Sequence, residues 1–258
     1  MIFNLIYTRP KDRGTNLLIN IQNYDINIID IPCIEFQYNF QQLIDLKDIT
    51  SFDYYIFPSI TAIRATLEYF INNNINYSFL NNKSVAIGLS SYKELIFYKI
   101  QNPIYPEKGG ASEDLLKLDI FNNIKNKKVI LLRGDVSRKY INNYLIKKQA
   151  LFTDLITYNI IKSNSLDHDI LKLQSINNNN VNIILFTSIS IIDSFIESYM
   201  QILDSKLINL LKNFIILVPS DRLEKYVKSK GFCQIYNSKN MTDSAIISKL
   251  HEIKKYFK

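Results

Sequence analysis

Arg9 and Arg133 each close an apolar run, in LIYTRP at residues 5–10 and in VILLRGDVSR at residues 129–138. A guanidinium at the end of such a run can grip an anion, because its planar fork matches two oxygens at once. A structural use competes with that reading: either arginine could bond loop carbonyls or an acidic neighbour such as Asp135. Arg138 follows one turn further on and offers the same chemistry. Four serines stand in comparable places. Ser59, Ser91, Ser188 and Ser220 each sit where an apolar run gives way to a segment of helical period. A serine there caps the helix through its side-chain oxygen. The helix start also presents unpaired amides and the positive end of the dipole, which receive anions. In open parallel sheets such turns lie at the carboxyl ends of the strands, where ligands sit.

Other chemistries find little support. His168 and His251 are the only histidines, and neither has a metal-ligand neighbour at a useful spacing, so both are expected to be solvated. The two cysteines, Cys33 and Cys233, lie far apart without a partner motif, so neither a disulfide framework nor a cysteine metal site is expected. GGASEDLL at 109–116 has paired glycines but lacks phosphate-loop spacing. The formal net charge is +7, which favours an anionic partner. A chain crowded with Ile, Asn and Lys acquires diffuse lysines from an AT-rich genome as well. The lysines are scattered and not interleaved with spaced aromatics, so nucleic-acid binding is not expected. The C-terminal HEIKKYFK reads as an exposed helix face. No apolar stretch is long enough to span a membrane. MIFNLIYTRP lacks the basic lead and cleavage site of a secretion signal, so a soluble cytoplasmic protein is the expectation.

These side chains need elements to hold them. Seven short apolar runs recur: IFNLIY, NIIDIP, YYIFP, SVAIG, KVILLR, NIILFT and FIILVP. Most lead through a small or polar turn into a helix-period segment. Continuous apolar strands alternating with helices predict α/β layers around parallel sheets. Asn-rich patches at 72–76, 81–82 and 177–180 read as loops. With 258 residues, two small cores are comfortable. An internal repeat supports two. Ser59 and Ser188 lie 129 residues apart, as do Ser91 and Ser220, while Arg9 and Arg133 lie 124 apart. ASEDLL (111–116) and MTDSAII (241–247) both look like capped helix starts. The chain therefore reads as a first unit, a second unit, then both again. Adjacent units could pair into sequential domains, or the first could fold back onto the last. The repeat alone leaves both open.

Taken in order, TRP at 8–10, FPSITAI, VAIGLSSYKEL, YPEKGGASEDLL, LLRGDVSRKYINNYLIKKQALFTDLITY and ILVPSDRLEKYVKSKGF resemble the uroporphyrinogen-III synthase family over nearly the whole chain. The resemblance implies the nested arrangement: residues 1–35 and 166–258 in one α/β domain, 42–153 in an inserted one. Segments 36–41 and 154–165 would be bridging strands, joining two similar parallel-sheet domains by a two-stranded β-ladder with a cleft between them. It implies a cofactor-free, metal-free monomeric enzyme of haem (tetrapyrrole) biosynthesis. Its substrate would be hydroxymethylbilane, closed to uroporphyrinogen III with inversion of the last ring and loss of water. Tyr158 matches the family's cleft tyrosine and would position or protonate the leaving hydroxyl. Arg9, Ser59, Ser91, Arg133, Arg138, Ser188 and Ser220 would hold the substrate's carboxylates. A non-enzymatic two-domain binder of an anionic small molecule is the alternative from another class.

Overall fold

The structure is a computed structural model that describes residues 2–11, 15–21, 24–109, 112–136, 139–177, 179–203 and 214–257. Arg138 lies outside the described residues, as do Gly110 and Ala111. The chain divides into two units, Met1–Glu35 with Ile161–Lys258, and Phe36–Ile160.

The first unit holds β1 (Phe3–Tyr7), α1 (Thr15–Ile21) and β2 (Asn27–Asp30). Two connecting strands carry the chain across the unit boundaries: β3 (Ile34–Tyr38) on the way into the second unit and, much later, β7 (Leu151–Lys162) on the way out. Between them run α2 (Gln41–Asp45), β4 (Tyr54–Phe57), α3 (Ile60–Asn72), β5 (Ser84–Ala86), α4 (Leu89–Phe97), α5 (Ser112–Leu115), β6 (Lys128–Gly134) and α6 (Tyr140–Lys147). The first unit resumes with α7 (Leu166–Ile170), β8 (Val181–Leu185), α8 (Ile189–Leu203), β9 (Ile215–Val218), α9 (Asp221–Ser229), β10 (Ile235–Asn237) and α10 (Asp243–Tyr256). No helix among the described residues is long and apolar enough to cross a membrane.

Each unit is built on one sheet. The first has the order β10-β9-β8-β1-β2, with every pairing parallel. The second has the order β3-β7-β6-β4-β5, and β7-β6-β4-β5 pair in parallel. The expected α/β class with two mostly parallel sheets is what forms. Parallel strands are buried on both faces, and the sequence shows it: β1 and β8 are buried along their whole length. In the second unit alternate residues feed opposite layers. Tyr55 and Phe57 join one cluster with Ala62 and Ile63 of α3, while Ile56 joins another with Leu131, Ile141 and Leu145. In the first unit Leu5 and Tyr7 pack with Leu17 of α1 and Ile246, Leu250 and Ile253 of α10.

Strand register explains two of the three repeat offsets. Tyr55 pairs with Ile130 on β6, and Ile184 pairs with Ile6 on β1. Tyr55 to Ile184 is the serine offset of 129, and Ile6 to Ile130 is the arginine offset of 124. The next strand breaks step. Tyr55 pairs with Ser84 and Ile184 with Ile216, an offset of 132, so Ser91 and Ser220 are not equivalent in the fold.

The Asn-rich patches at 72–76 and 81–82 form turns as expected, and residue 178 of the third lies outside the described residues. Asn74, Asn82 and Asn126 take the left-handed conformation, with φ of 53°, 62° and 60°, which asparagine tolerates better than most residues. In β1, by contrast, asparagine is part of the sheet. Asn4 donates to Asn182 at 2.7 Å and accepts from Asn27 at 2.9 Å, an amide ladder across β8, β1 and β2.

Candidate functional site

Strand β6 ends on Arg133 and Gly134 for separate reasons. Arg133 faces the same side of the sheet as Leu131, whose register partner on β7 is Asp154. Its guanidinium meets the Asp154 carboxylate twice, Nε at 2.6 Å and one terminal nitrogen at 2.7 Å. The other terminal nitrogen donates to the Gly134 carbonyl at 2.8 Å. Asn142 of α6 adds a 2.6 Å bond to the same carboxylate. The arginine fork is thus occupied inside its own unit. Its acidic partner is Asp154, not the sequence neighbour Asp135. The Asp135 carboxylate instead accepts from the amides of Val136 and Ile160, pinning the loop after β6 to β7.

Gly134 makes room for Tyr158. A Cβ at position 134 would stand 2.5 Å from Cζ and 2.8 Å from the hydroxyl of Tyr158. No side chain fits there unless the ring moves. The ring reaches this place through a bulge. Arg133 pairs with Ile156, yet the next residue, Gly134, pairs with Tyr158. Leu155 and Tyr158 accordingly share one core cluster although they are three residues apart, a spacing that a regular strand would send to opposite faces. The extra residue, Thr157, is fully buried and donates its hydroxyl to the Arg133 carbonyl at 3.3 Å. Phe36 of β3 packs edge-on against the Tyr158 ring, centroids 5.5 Å apart.

Ser59 completes this cluster at the carboxyl end of the sheet. It is the N-cap of α3, with extended backbone (φ −158°, ψ 155°), and its oxygen accepts from the Ala62 amide at 3.1 Å. The same oxygen lies 3.1 Å from the Tyr158 hydroxyl. Tyr158 itself is nearly buried, 8% exposed.

The other serines differ among themselves. Ser188 accepts from the Ile191 amide at 3.2 Å at the start of α8. Ser220 caps α9 with almost the backbone of Ser59 (φ −158°, ψ 154°), accepting from Leu223 at 3.4 Å. Ser91 does not cap. The N-cap of α4 is Gly88, and Ser91 sits buried within the first turn while Ser90 is exposed beside it. The capping expectation for Ser91 is corrected: the helix starts three residues earlier than the repeat suggests. Charge separates the helix starts further. The first turns of α3, α4 and α8 carry no acid. That of α9 carries Asp221 and Glu224, both bonded by Lys239 or Asn237, and these carboxylates already occupy its positive end. The Lys239 ammonium holds the Asp221 carboxyl below its usual range.

Arg9 follows β1 at the corresponding end of the first sheet. One terminal nitrogen stands 3.6 Å from an Asp243 oxygen and the other 3.7 Å from the Met241 sulfur. This is a looser hold than the Arg133–Asp154 fork. Thr8 beside it donates to the Leu185 carbonyl. Burial pushes the phenol of neighbouring Tyr7 up to about 12, although Arg9 pulls the other way. Of the histidines, His168 is exposed as expected. His251 is not simply solvated: its ring meets Tyr24 edge-on at 4.2 Å. Among the described residues no group of acidic, His and Cys side chains could hold a metal ion. Sequence reasoning missed Gly134 and Phe36, the two residues that shape the place of Tyr158. Only the scarcity of glycine, six in the chain, hinted at the first.

A family model described as uroporphyrinogen-III synthase HemD matches residues 17–248. The uroporphyrinogen-III synthase of Proteus mirabilis is 26% identical over 162 residues, 60% of this chain and 79% of that protein. The crystal structure of the Helicobacter pylori synthetase superposes with a TM-score of 0.68 at 16% identity, covering 98% of this chain and 100% of the other. A mutant synthase from Thermus thermophilus gives 0.62 at 13% identity, covering 98% of each chain. At these identities the two structures speak for the fold.

Proposed function

The chain belongs to the uroporphyrinogen-III synthase family, and from that premise we propose that it converts hydroxymethylbilane to uroporphyrinogen III. The reaction is a cyclising dehydration, so the enzyme is a lyase. The observation that carries the reading is the Tyr158 hydroxyl, held opposite the carboxyl end of β6 between the Gly134 backbone and Ser59. Tyr158 hydrogen-bonds the hydroxyl that leaves the bilane and gives it a proton, so that water departs. A phenol, with an ordinary pKa near 10, is suited to be a positioned donor rather than a strong acid. The azafulvenium left behind is attacked by the substituted carbon of the terminal ring. The spiro-pyrrolenine opens and recloses with that ring inverted. The proton shed by the final ring carbon balances the one given at the start.

The substrate carries many carboxylates, and the protein must hold it curled so that this attack outruns uninverted closure. The acid-free starts of α4 and α8 suit those carboxylates, each contact contributing about 0.3–1 kcal/mol where exposed. Ser188 and the loosely held Arg9 belong to this set. Ser91 contributes its place in the α4 turn. Ser220 is the weaker candidate because Asp221 and Glu224 stand beside it. Arg133 braces the end of β6 that carries Gly134 and reaches no carboxylate except by giving up Asp154. Incubation with freshly generated hydroxymethylbilane, followed by chromatographic separation of the isomers, tests the activity. Isomer III is expected. Isomer I alone, the spontaneous product, would leave a binder of anionic small molecules in its place.

A further inference from the structure

We propose that Ser59 acts on the reaction through Tyr158: the α3 N-terminus and the Ser59 hydroxyl orient the tyrosine proton, rather than Ser59 binding a substrate carboxylate itself. The inference rests on the assignment of Tyr158 as the donor to the leaving hydroxyl. It starts from two contacts on one oxygen. The Ala62 amide points at Ser59 Oγ at 3.1 Å, and the Tyr158 hydroxyl lies 3.1 Å from the same atom.

Two proton arrangements satisfy this geometry. In one, Tyr158 donates to Ser59. The serine oxygen then accepts twice, and the tyrosine proton points at the positive end of α3. In the other, Ser59 donates to Tyr158. All the dipoles then run the same way, from the Ala62 N–H through the Ser59 O–H to the Tyr158 O–H. The field of a 13-residue helix with no acid in its first turn favours the second. Such a chain also strengthens itself, because each donor polarises the next. Tyr158 turns its own proton away from Ser59. As that proton passes to the leaving hydroxyl, negative charge develops on the phenol oxygen. The Ser59 O–H and the helix end already face that oxygen and need not reorganise. Gly134 and Phe36 fix the ring from its other sides. The proton returns to the phenolate when the last ring carbon sheds its own.

Ser59 is therefore a positioning residue, and its removal should act on turnover and not on substrate capture. Replacing Ser59 also removes a cap, so the variants must separate the two roles. Ser59→Asp keeps a side-chain cap but can only accept from Tyr158. Ser59→Thr keeps both cap and donor. We expect Ser59→Ala and Ser59→Asp to lower kcat about tenfold with KM within about twofold, and Ser59→Thr to recover most of that loss. In a Tyr158→Phe background, Ser59→Ala should cost less than about twofold more, since its route is already cut. A rise in KM, or a full further loss in the Tyr158→Phe background, would show that Ser59 meets the substrate directly and overturn the inference. Titration of Tyr158 followed by carbon-13 NMR of ring-labelled protein is the second readout. It needs no turnover, so it stands even if the protein makes only isomer I. Ser59→Asp should raise the midpoint and Ser59→Thr should not. Equal midpoints in all three proteins would overturn the hydrogen-bond direction whatever the activity.

Discussion

The hydroxyls of Ser59 and Tyr158 stand 3.1 Å apart, although 99 residues separate them in the chain. One is a helix cap and the other lies just past a strand bulge. The parallel order β7-β6-β4 brings the two residues together at one edge of the sheet, across the end of β6.

Gly134→Ala should separate activity from stability. The added methyl meets the far end of the Tyr158 side chain first, with Cζ at 2.5 Å and Cε2 at 2.6 Å. The ring can swing aside, so the loss of stability should stay near ~1 kcal/mol. The hydroxyl then leaves Ser59, and isomer III formation should fall about tenfold or more. Urea unfolding alongside the isomer assay checks the split. Near-normal activity with the methyl in place would mean that the position of the ring does not matter.

Arg133→Ala should do the reverse. Asp154, with a quarter of its side chain exposed, would keep Asn142 but lose both guanidinium bonds. The pair is only partly buried, so the cost should be about 2 kcal/mol, below that of a fully buried pair. Adding Asp154→Ala should cost less than it does alone, as for any two residues in direct contact. The check is a double-mutant cycle by urea unfolding, with KM measured on each protein. A raised KM at unchanged stability would make Arg133 a substrate contact.

Asn4→Leu should destabilise the first unit by about 1–3 kcal/mol. Asn4 and Asn182 are both nearly inaccessible, and the substitution strands the Asn182 side-chain oxygen that now accepts from Asn4, while exposed Asn27 can turn to water. Adding Asn182→Leu should cost less than it does alone, because the Asn4–Asn182 bond is already gone and only the Asn182 bonds to the Asn177 and Asn180 carbonyls remain to be lost. Chemical denaturation of the single and double variants measures this.

Alkaline pH should weaken each unit through one buried tyrosine. Burial raises Tyr7 in the first unit and Tyr55 in the second from 10.0 to about 12. Tyr55 also donates to the Ile49 carbonyl at 2.6 Å. Both stay neutral in the folded protein while the unfolded chain ionises above pH 10. The unfolded state therefore binds fewer protons in that range. Stability is fully present below pH 10 and falls as pH rises towards 12, by about 2–3 kcal/mol for each tyrosine. Tyr7→Phe and Tyr55→Phe should each flatten that fall. Unfolding midpoints from pH 8 to 11.5 provide the check, and identical slopes in all proteins would contradict it.

Much of the fold is legible in the sequence because buried parallel strands are continuous apolar runs. All seven runs become strands: β1, β2, β4, β5, β6, β8 and β9. Strand β10 is missed since IYN is short, half-buried and set among polar residues. The helix starts at Ser59 and Ser220 can be read from cap and spacing. Ser91 misleads because the repeat shifts by three residues after β4, and a serine inside the first turn looks like one that caps it. The site is less legible for reasons of distance. Arg133 finds Asp154 across a strand pair, 21 residues away, where the sequence offers the adjacent Asp135. The bulge at Thr157 has no local signature, so nothing in DLITYNII shows that Tyr158 faces the same side as Leu155. The need for glycine at 134 follows only from that bulge.

Departure of water, and with it the inverted closure, is proposed to depend on the Tyr158 hydroxyl. Tyr158→Phe removes that single oxygen and keeps the ring against Gly134 and Phe36. The isomer III produced from hydroxymethylbilane per unit time, against wild type and with unfolding measured in parallel, is the direct test. At least a tenfold loss is expected, roughly 1.4 kcal/mol of transition-state stabilisation, with stability within about 1 kcal/mol. Isomer III formation within about twofold of wild type, under ~0.5 kcal/mol, would contradict it.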